Sequence, residues 1–296
     1  MKNILIIGAN GFTGRQILND LSVNPIYHVT GCSLRDDICP GKDYRFVRTD
    51  IRDENEVRKL FKECRPDIVI NTSALSVPDY CETHHAEAEA TNVTAVETIA
   101  HVCEQYGSRF IHLSTDFVFD GKSIRLYKEE DEAIPVNYYG VTKLKAEKII
   151  ASICSNYAIV RVVVVYGKAL PGQHGNILQL VANRLRNGET IRVVSDQWRT
   201  PTFVGDISVG VEKLMFHTAN GIYHICGSEC LTIAEIAYRV ADFLKLDRSL
   251  IEPVTTEEMK EVTPRPRFSG LSIEKAKAEI GYTPRTLEEG MEASLF

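Results

Sequence analysis

The segment YYGVTK contains two side chains that can donate or accept a proton, Tyr139 and Lys143, which lie four residues apart. The run LKAEKII that follows is helical in pattern, and residues four apart on a helix lie on one face, close enough for an ammonium group to act on a phenol. A free phenol has a pKa of about 10, and a nearby positive charge lowers that pKa. The pair predicts a tuned proton donor, with an ordinary solvated helix face as the alternative.

A hydroxyl group precedes this pair by twenty-four residues, because Thr115 ends the apolar run RFIHLST next to Ser114. Ligands of a doubly wound sheet bind beyond the carboxyl ends of its strands. A hydroxyl at a strand end and a tyrosine on the next helix can therefore meet at one carbonyl oxygen. We predict that Tyr139 gives a proton to that oxygen while Thr115 donates a second hydrogen bond to it.

The first half of the chain alternates strand-like and helix-like segments. Continuous apolar runs rich in β-branched residues are typical of strands buried on both faces, and they occur at KNILIIG, YHVTGCS, YRFVRTD, DIVINTS, RFIHLST and AIVRVVVVYG. Helical stretches lie between them, at TGRQILNDL, ENEVRKLFKEC, HHAEAEATNVTAVETIAHVCEQY and NYYGVTKLKAEKIIASIC. This order predicts an α/β fold with a doubly wound, parallel Rossmann-type sheet and right-handed crossovers.

The alternation ends after Gly167, where loops, helices and short strands follow in irregular order. TIAEIAYRVADFLKL has the pattern of an amphipathic helix, and SIEKAKAEIG is expected to be the last helix. We predict a Rossmann domain over residues 1–167, with pieces near 203–227 that return to its sheet. A smaller α/β lobe, residues 168–202 and 228–296, would bind the substrate in the cleft between the two.

A glycine-rich turn, GANGFTG, follows the first predicted strand and opens the first predicted helix. Of its glycines Gly8, Gly11 and Gly14, one makes the tight turn, one lets the backbone approach a pyrophosphate, and one lets helix and strand pack closely. The helix N-terminus offers free N–H groups and the positive end of its dipole to phosphates. This context predicts a dinucleotide site rather than a glycine turn without a ligand.

The residues at the end of the second predicted strand indicate whether the dinucleotide is NAD or NADP. An acidic residue about 20 positions beyond the glycines holds the ribose hydroxyls of NAD, whereas Ser33 and Arg35 suit the charge of a 2′-phosphate. NADP(H) is therefore favoured, and NAD(H) stays an alternative because Asp36 could face the ribose. Asp50, which ends the third strand, could accept a hydrogen bond from the adenine amino group or could cap a helix.

Together these segments resemble the extended short-chain dehydrogenase/reductase family, whose mark is a Ser/Thr, Tyr and Lys trio with Y-x-x-x-K. The resemblance covers nearly the whole chain and rests on the glycine loop, Asp50, NTSA at 71–74, STDFVFDG at 114–121, YGVTK at 139–143 and RVVVVYG at 161–167. Within the family, STDFVFDG, YYGVTKLKAE, DQWRTPT and RPRFSGLSIEKAKAEIGYTP resemble the dTDP-4-dehydrorhamnose reductases. That likeness implies reduction of the 4-keto group of a nucleotide-linked 6-deoxysugar, with Thr115, Tyr139 and Lys143 as the catalytic residues.

The resemblance also implies which residues bind the two ligands. Those for the cofactor are Gly8, Asn10, Gly11, Phe12, Thr13, Gly14, Ser33, Arg35, Asp50, Ile51, Ser73, Ala74, Tyr139 and Lys143, the last of which would hold the nicotinamide ribose. Those for the nucleotide-sugar are Asp116, Asn176, Arg199, Arg265 and Arg267. For each arginine the alternative is a surface ion pair. Asp79 and Glu82 are expected on a loop that lines the sugar pocket.

One segment departs from the rhamnose-type pattern D-Q-x-G-x-P-T, because Arg199 stands where the glycine belongs. The run RTPTFVGD also resembles the R-x-x-x-x-V-x-D segment of nucleotide-sugar epimerases, in which the arginine clamps the substrate pyrophosphate. A similar arginine occurs in the regulatory subunit of methionine adenosyltransferase, which also resembles this chain at GCSLR. The alternatives are therefore an epimerase or dehydratase of the same family, or a non-catalytic NADP-binding regulatory subunit.

Composition argues against several other kinds of partner. The 296-residue chain has a net charge of −6 and no basic block, so a nucleic-acid partner is not expected. No apolar stretch approaches membrane-spanning length and the N-terminal run is too short for a signal peptide, so we expect a cytoplasmic protein. The eight cysteines are scattered singly and predict buried thiols, with neither metal site nor disulfide. Family resemblance implies a homodimer through the helix of Tyr139 and its neighbour.

Overall fold

The computed structural model describes residues 1–40, 43–173 and 175–294. Its strands are β1 (Lys2–Ile7), β2 (Tyr27–Ser33), β3 (Arg45–Arg48), β4 (Ile68–Asn71), β5 (Arg109–Thr115), β6 (Tyr157–Val162), β7 (Val165–Tyr166), β8 (Ile191–Val194), β9 (Trp198–Arg199), β10 (Thr202–Phe203), β11 (Gly221–His224), β12 (Leu231–Thr232) and β13 (Ile251–Val254). Its α-helices are α1 (Phe12–Ser22), α2 (Glu54–Cys64), α3 (Pro78–Thr83), α4 (His85–Glu89), α5 (Ala95–Tyr106), α6 (Tyr138–Ile153), α7 (Ile177–Arg186), α8 (Val204–Phe216), α9 (Ile233–Leu244), α10 (Thr256–Met259), α11 (Glu274–Ile280) and α12 (Leu287–Ala293).

Seven of these strands form one parallel sheet, in the order β11, β6, β5, β4, β1, β2, β3. The strands β4 and β5 are buried along their whole length. Side chains of β1 alternate between two cores: Ile4 and Ile6 pack with residues of α1 and α8, whereas Leu5 and Ile7 pack with residues of α2, α5 and α6. Helices on both faces explain why these strands are continuously apolar. The predicted doubly wound, Rossmann-type α/β fold is confirmed.

The part of the chain after residue 167 contributes both to this sheet and to a separate core. β11, from the region predicted to return to the sheet, pairs with β6 at its edge. A third core is formed by side chains of α7, β8, α9, β13 and α12, such as Leu178, Ile191 and Ile236. Small sheets join β13 to β8, β12 to β9 and β10 to β7. The exact boundaries between Rossmann domain and smaller lobe stay a prediction.

Two helix predictions are corrected by the structure. The segment expected as one long helix begins at His85 as α4, widens into a π-helical turn at Ala90–Thr94, and continues as α5. The wide turn carries the buried Asn92, whose amide binds the backbone of Leu75 and the hydroxyl of Thr142. SIEKAKAEIG forms α11 but is not the last helix, because a capping box on Thr286 starts α12.

The remaining expectations concern metals, thiols, membranes and dimers. All eight cysteines are free thiols, and the described residues contain no cluster of His, Cys, Asp and Glu side chains that could hold a metal ion. The exposed positions of α5 include Glu97 and His101, and those of α6 include Lys145 and Lys148. The homodimer through these helices stays a prediction.

No helix within the described ranges combines the length and the apolar character needed to cross a bilayer.

Candidate active site

The glycine loop between β1 and α1 has no room for side chains at two of its three glycines. Gly8 has a φ of 83°, a left-handed conformation that favours glycine. A Cβ at Gly14 would lie 2.3 Å from the Gly8 carbonyl oxygen and 2.6 Å from the Thr72 hydroxyl. α1 begins at Phe12, and no described side chain caps its first N–H groups. The loop therefore offers a close backbone approach and unpaired donors to an anionic group such as a pyrophosphate.

Replacing Gly14 by alanine should damage this loop. The added methyl group cannot be accommodated unless α1 moves away from Gly8, so we expect a lower melting temperature and a loss of NADPH affinity of at least about tenfold. Gly175→Ala is a matched control, because a Cβ there meets only the Gln179 side chain at 3.5 Å. Thermal unfolding would measure the melting temperature, and fluorescence titration with NADPH would measure the affinity. Unchanged affinity in Gly14→Ala would contradict the placement of the pyrophosphate.

Most of the predicted cofactor residues beyond the loop line one pocket of about 220 Å³ at the carboxyl ends of β1, β2 and β4. Its wall includes Gly8, Ser33, Asp50, Ile51, Ser73 and Ala74. Residues from four separate segments thus converge on one cavity, of a size suited to part of a nucleotide. The pocket wall does not include Asn10 or Arg35, which lie at its margin.

The individual polar groups near this pocket are held in different ways. The Ser33 hydroxyl accepts a hydrogen bond from the Asn10 N–H at 3.0 Å, and the Asn10 amide in turn binds the Arg35 and Asp36 carbonyls. The exposed Arg35 guanidinium makes no hydrogen bond or ion pair with any residue that the structure describes. Its charge is therefore available to a phosphate.

Asp50 does not cap a helix. Its carboxylate forms an ion pair with Arg52, which lowers the pKa of the Asp50 carboxyl group below its usual range. The cap of α2 is Asp53, whose side chain accepts hydrogen bonds from Asn55 and Glu56. Because Asp50 lines the pocket with its charge intact, its predicted contact with adenine remains open, and the capping alternative is wrong.

The structure brings Thr115 and Tyr139 together at the carboxyl edge of the sheet. Thr115 is the last residue of β5, and Tyr139 lies in the first turn of α6, which Asn137 caps. A Cβ on Gly140 would lie 2.1 Å from the Phe117 carbonyl oxygen, so only glycine lets this turn pack against the segment after β5. This close packing explains why a glycine occurs in YYGVTK, which the sequence alone did not reveal.

The phenol of Tyr139 is kept protonated by its surroundings. Burial raises the pKa of Tyr139 well above its usual range, the neighbouring Thr115 hydroxyl opposes the rise, and the negative charge of Asp116 adds to it. In the free protein burial dominates this pKa, and the lowering expected from Lys143 together with the oxidised nicotinamide stays a prediction. The phenol therefore carries its proton in the free protein, as a proton donor must.

The Lys143 amine is turned toward β5 instead. It is almost fully buried, donates a hydrogen bond to the Leu113 carbonyl at 2.6 Å, and lies 2.8 Å from Nε2 of His112. Burial lowers the pKa of Lys143 to about 8, although the negative charge of Glu147 opposes this. The amine is thus close to its change of charge at neutral pH.

A second pocket, of about 480 Å³, lies between the segment after β5 and the third core. Its wall includes Phe117, Val164, Asp79, Arg199 and Arg265. Phe117 joins it to the catalytic residues, because its ring meets the Tyr139 ring edge to face with centroids 6.0 Å apart. Val164 has a φ of 37°, which is rare for a β-branched residue. Such backbone strain is found most often at ligand-binding sites.

Two of the predicted substrate residues are bound to each other in the interior. Arg199 is only 2% exposed, and its Nε lies 3.8 Å from the Asp116 carboxylate, which also accepts hydrogen bonds from Ser269 and Thr115. Burial raises the pKa of Asp116, and the positive charge of Arg199 partly opposes the rise. Arg199 is not a surface ion pair: it lies in the wall of the second pocket and is held beside Asp116, so its contact with the substrate stays a prediction.

The other predicted substrate residues lie in different surroundings. Arg265 lines the second pocket and pairs with Glu261 and Asp79. Arg267 is 54% exposed, pairs with Glu257, and lies outside the pocket wall. The Asn176 side chain caps α7 and binds the Gly167 carbonyl.

The segment of Asp79 and Glu82 is the short helix α3 rather than a loop. Asp79 lines the second pocket, as expected, but the Glu82 carboxylate accepts a hydrogen bond from the Tyr138 N–H and so helps to begin α6.

Two buried residues with direct effects on the site were not predicted. His112 contacts the Lys143 amine, and Asn92 ties α6 to the loop that carries Leu75, part of the cofactor pocket. The histidine within the apolar run RFIHLST was the available signal, because a buried strand rarely contains a titratable group without a partner.

The parallel sheet, the glycine loop and the arrangement of Thr115, Tyr139 and Lys143 define a protein of the short-chain dehydrogenase/reductase type. The family model of the RmlD substrate binding domain matches residues 1–295. The chain belongs to that family.

Individual relatives are similar over most of their length. The probable low-salt glycan biosynthesis reductase Agl14 of Haloferax volcanii is 30% identical, over 97% of this chain and 95% of its own. Methionine adenosyltransferase 2 subunit beta of Xenopus laevis is 31% identical, over 96% of this chain and 84% of its own. The crystal structure of dTDP-4-dehydrorhamnose reductase from Bacillus anthracis in complex with NADP is 26% identical and has a TM-score of 0.86, over 100% of this chain and 99% of that chain.

Proposed function

We propose that this protein is an NADP(H)-dependent oxidoreductase that reduces the 4-keto group of a nucleotide-linked deoxysugar. The observation that carries the proposal is the pair of hydroxyl groups of Thr115 and Tyr139 at the carboxyl edge of β5, with the phenol kept protonated. Reduction of a carbonyl needs such a pair, because the oxygen first gains negative charge and then a proton.

The chain's own residues would act on the substrate oxygen. NADPH, when bound, supplies the hydride for the keto carbon. Tyr139 gives its phenolic proton to the oxygen that becomes negative, and the Thr115 hydroxyl, which donates to Asp116 in the free protein, turns to donate a hydrogen bond to the same atom. The Tyr139 phenolate then regains a proton from solvent. Each turnover consumes one hydride and one proton and yields an alcohol and NADP⁺.

The structure fits a dinucleotide at the glycine loop. A Cβ at Gly8 would lie 2.7 Å from the Thr72 hydroxyl and 2.8 Å from the Ser73 nitrogen, and one at Gly14 would lie 2.3 Å from the Gly8 carbonyl oxygen, so the close packing of the loop requires glycine at both positions. Gly8 also lines the pocket of about 220 Å³ that contains Ser33 and Asp50. The related reductase from Bacillus anthracis was crystallised with NADP, which supports the same cofactor here.

Arg35→Ala should reduce the preference for NADPH over NADH. The Arg35 guanidinium, which has no partner among the described residues, is the group that we propose binds the 2′-phosphate, and a hydrogen bond to a charged group contributes about 1.5–3 kcal/mol. We expect the Kd for NADPH to rise about 10- to 100-fold while that for NADH changes little. Arg45→Ala is the control, because Arg45 is also exposed but is paired with Glu63. An equal loss for both dinucleotides in Arg35→Ala would show that Arg35 does not recognise the 2′-phosphate.

The second pocket supports a nucleotide-sugar as the substrate. Its volume of about 480 Å³ falls within the range of small-molecule sites. Arg265 lies in its wall with its side chain 34% exposed, and a guanidinium fork suits a diphosphate. Arg199 and Asp116 would contribute indirectly, by holding the segment that carries Thr115 and Phe117. Two of the relatives bear names of reductases in glycan or dTDP-sugar chemistry.

A second candidate follows from the likeness to methionine adenosyltransferase 2 subunit beta. A chain of that kind would bind NADP(H) and a partner synthetase without turnover. An epimerase or dehydratase would pass the hydride back to its substrate and would therefore show no net consumption of NADPH.

The proposal is tested with a panel of dTDP-, UDP- and GDP-linked 4-keto-deoxysugars and NADPH, followed by the absorbance of the reduced nicotinamide. We expect oxidation that depends on the keto-sugar, with one nucleotide preferred. Chemical conversion of the sugar without net oxidation would favour an epimerase or dehydratase. Tight NADPH binding without any conversion, together with co-purification of a methionine adenosyltransferase, would favour the subunit.

A further inference from the structure

A chain of three buried side chains crosses the sheet behind the proposed catalytic residues. Asn71 ends β4, His112 lies in β5, and Lys143 lies in α6; Asn71 and His112 have no exposed surface and Lys143 has 2%. The Asn71 amide nitrogen is 3.2 Å from Nδ1 of His112, and Nε2 of His112 is 2.8 Å from the Lys143 nitrogen. Water cannot supply missing partners at such positions, so donors and acceptors within the chain have to match.

The orientation of the Asn71 amide fixes the first contact. Its oxygen accepts a hydrogen bond from the Ser73 N–H at 3.0 Å, so its NH₂ group faces His112. The reverse orientation would place that NH₂ group against the Ser73 N–H, two donors in contact. Nδ1 of His112 therefore accepts a hydrogen bond.

The tautomer of the imidazole follows from this. A neutral imidazole has one N–H group. Because Nδ1 is an acceptor, the N–H group is at Nε2, which faces Lys143. Burial lowers the pKa of His112 well below its usual range, in keeping with a neutral ring. The N–H on Nε2 needs an acceptor, and an ammonium group has none, whereas a neutral amine offers its lone pair.

We propose that His112, oriented by Asn71, is a positioning residue that favours the uncharged form of the Lys143 amine in the free protein. The neutral amine accepts the hydrogen bond from Nε2 of His112 and donates one to the Leu113 carbonyl, so every contact in the chain is satisfied. An ammonium group at this position would require the His112 ring to accept at both nitrogens, which a neutral imidazole cannot do.

The other ionisable groups around Lys143 differ in their effect on the protonation of its amine. Glu147, one turn further along α6, favours the ammonium form, but its carboxylate is already paired with Arg161 of β6. Tyr139, one turn earlier, is neutral because burial raises the pKa of its phenol. His112 thus adds to the effect of burial, and Lys143 can gain or lose a proton near neutral pH.

Direct observation of the two side chains in the free protein tests the inference, and it does so without substrate. With ¹⁵N-histidine, the ring nitrogens of His112 should show a neutral imidazole protonated on Nε2. With labelled lysine, Lys143 should titrate with a pKa of about 8. A His112 protonated on Nδ1, or a Lys143 that titrates near the ordinary value of about 10.4, would overturn the inference.

Two variants separate the role of His112 from that of burial. In His112→Gln the carboxamide oxygen can accept from an ammonium group, and in Asn71→Asp the carboxylate would move the imidazole hydrogen to Nδ1. Either change should raise the pKa of Lys143 by about one unit or more. His224→Gln is the matched control, because His224 is equally buried but binds the Ser272 carbonyl. A similar shift in the control, or none in either variant, would contradict the role of His112.

The kinetic consequence rests on the proposed function. Titration of Lys143 should give a midpoint in the pH–rate profile of NADPH oxidation. In each variant that midpoint should shift to higher pH as the pKa of Lys143 rises. Because the spectroscopic titration uses the cofactor-free protein, its result stands even if no keto-sugar is turned over. If Lys143 and His112 titrate as expected but no keto-sugar is turned over, only the proposed function is refuted.

Discussion

Tyr139→Phe should lower the rate of keto-sugar reduction about 100- to 10,000-fold, the range typical of a lost general acid. Phenylalanine keeps the edge-to-face contact with Phe117 and removes only the hydroxyl that lies beside Thr115. Cofactor binding should change little, because the glycine loop and the pocket of about 220 Å³ do not depend on this hydroxyl. Single-turnover kinetics at saturating NADPH would measure the chemical step separately from binding.

The neighbouring tyrosine gives a matched control for this variant. Tyr138 lies in the same helical turn, but its hydroxyl binds the Glu89 carboxylate and its ring stacks on His85. Tyr138→Phe should therefore retain most of the activity. If both variants lost the same fraction of the rate, the effect would come from the packing of α6 and not from a proton donor.

Glu147→Gln should have the largest effect on stability, a loss of about 3–5 kcal/mol in the free energy of unfolding. The Glu147 carboxylate is 3% exposed and accepts hydrogen bonds from the Ser114 hydroxyl and from Nε and Nη2 of Arg161. Glutamine keeps the size of the side chain but leaves the buried guanidinium without a counter-charge. Thermal and denaturant unfolding would measure the loss.

A double variant tests the cause of that loss. In Glu147→Gln/Arg161→Met neither charge remains, so a large part of the stability should return. Glu54→Gln, which breaks an exposed pair with Arg58 on α2, should change the stability little. If the double variant were no more stable than Glu147→Gln, the loss would come from packing or from the Ser114 hydrogen bond.

The sequence was sufficient for the sheet and the glycine loop because both depend on local patterns. Continuous apolar runs identified β1, β4 and β5, and glycine spacing identified a loop whose close contacts only glycine permits. The order of segments then placed Thr115 and the first turn of α6 at the same edge of the sheet. These inferences need only neighbouring residues and the handedness of crossovers.

The buried polar contacts could not be predicted in this way, because their partners are far apart in the chain. Arg199 resembled a substrate clamp, but the structure pairs it with Asp116, and Asp116 with Ser269. Lys143 was expected to act on a phenol, but its amine contacts a histidine thirty-one residues earlier. Sequence gives the type of such a residue, whereas its role depends on which neighbours the fold supplies.

Some short polar side chains in the sequence could either cap a helix or bind a ligand. Asp50 and Asp53 are both plausible caps in RTDIRDENE, and the structure uses Asp53. Asn176 was assigned to the substrate, yet its amide completes a capping box with Gln179 at the start of α7. The sequence alone cannot separate the two roles, because a short polar side chain suits a helix terminus and a ligand equally well.

Transfer of a labelled hydride tests the central claim most directly. The protein would be incubated with NADPH deuterated at the transferable position and the preferred 4-keto-deoxysugar nucleotide, and the sugar product would be analysed by mass spectrometry and NMR. We predict one deuterium on the carbon that carried the keto group, with the label almost absent in Tyr139→Phe over the same time. A product without deuterium on that carbon, or label transfer at an undiminished rate in Tyr139→Phe, would contradict the account.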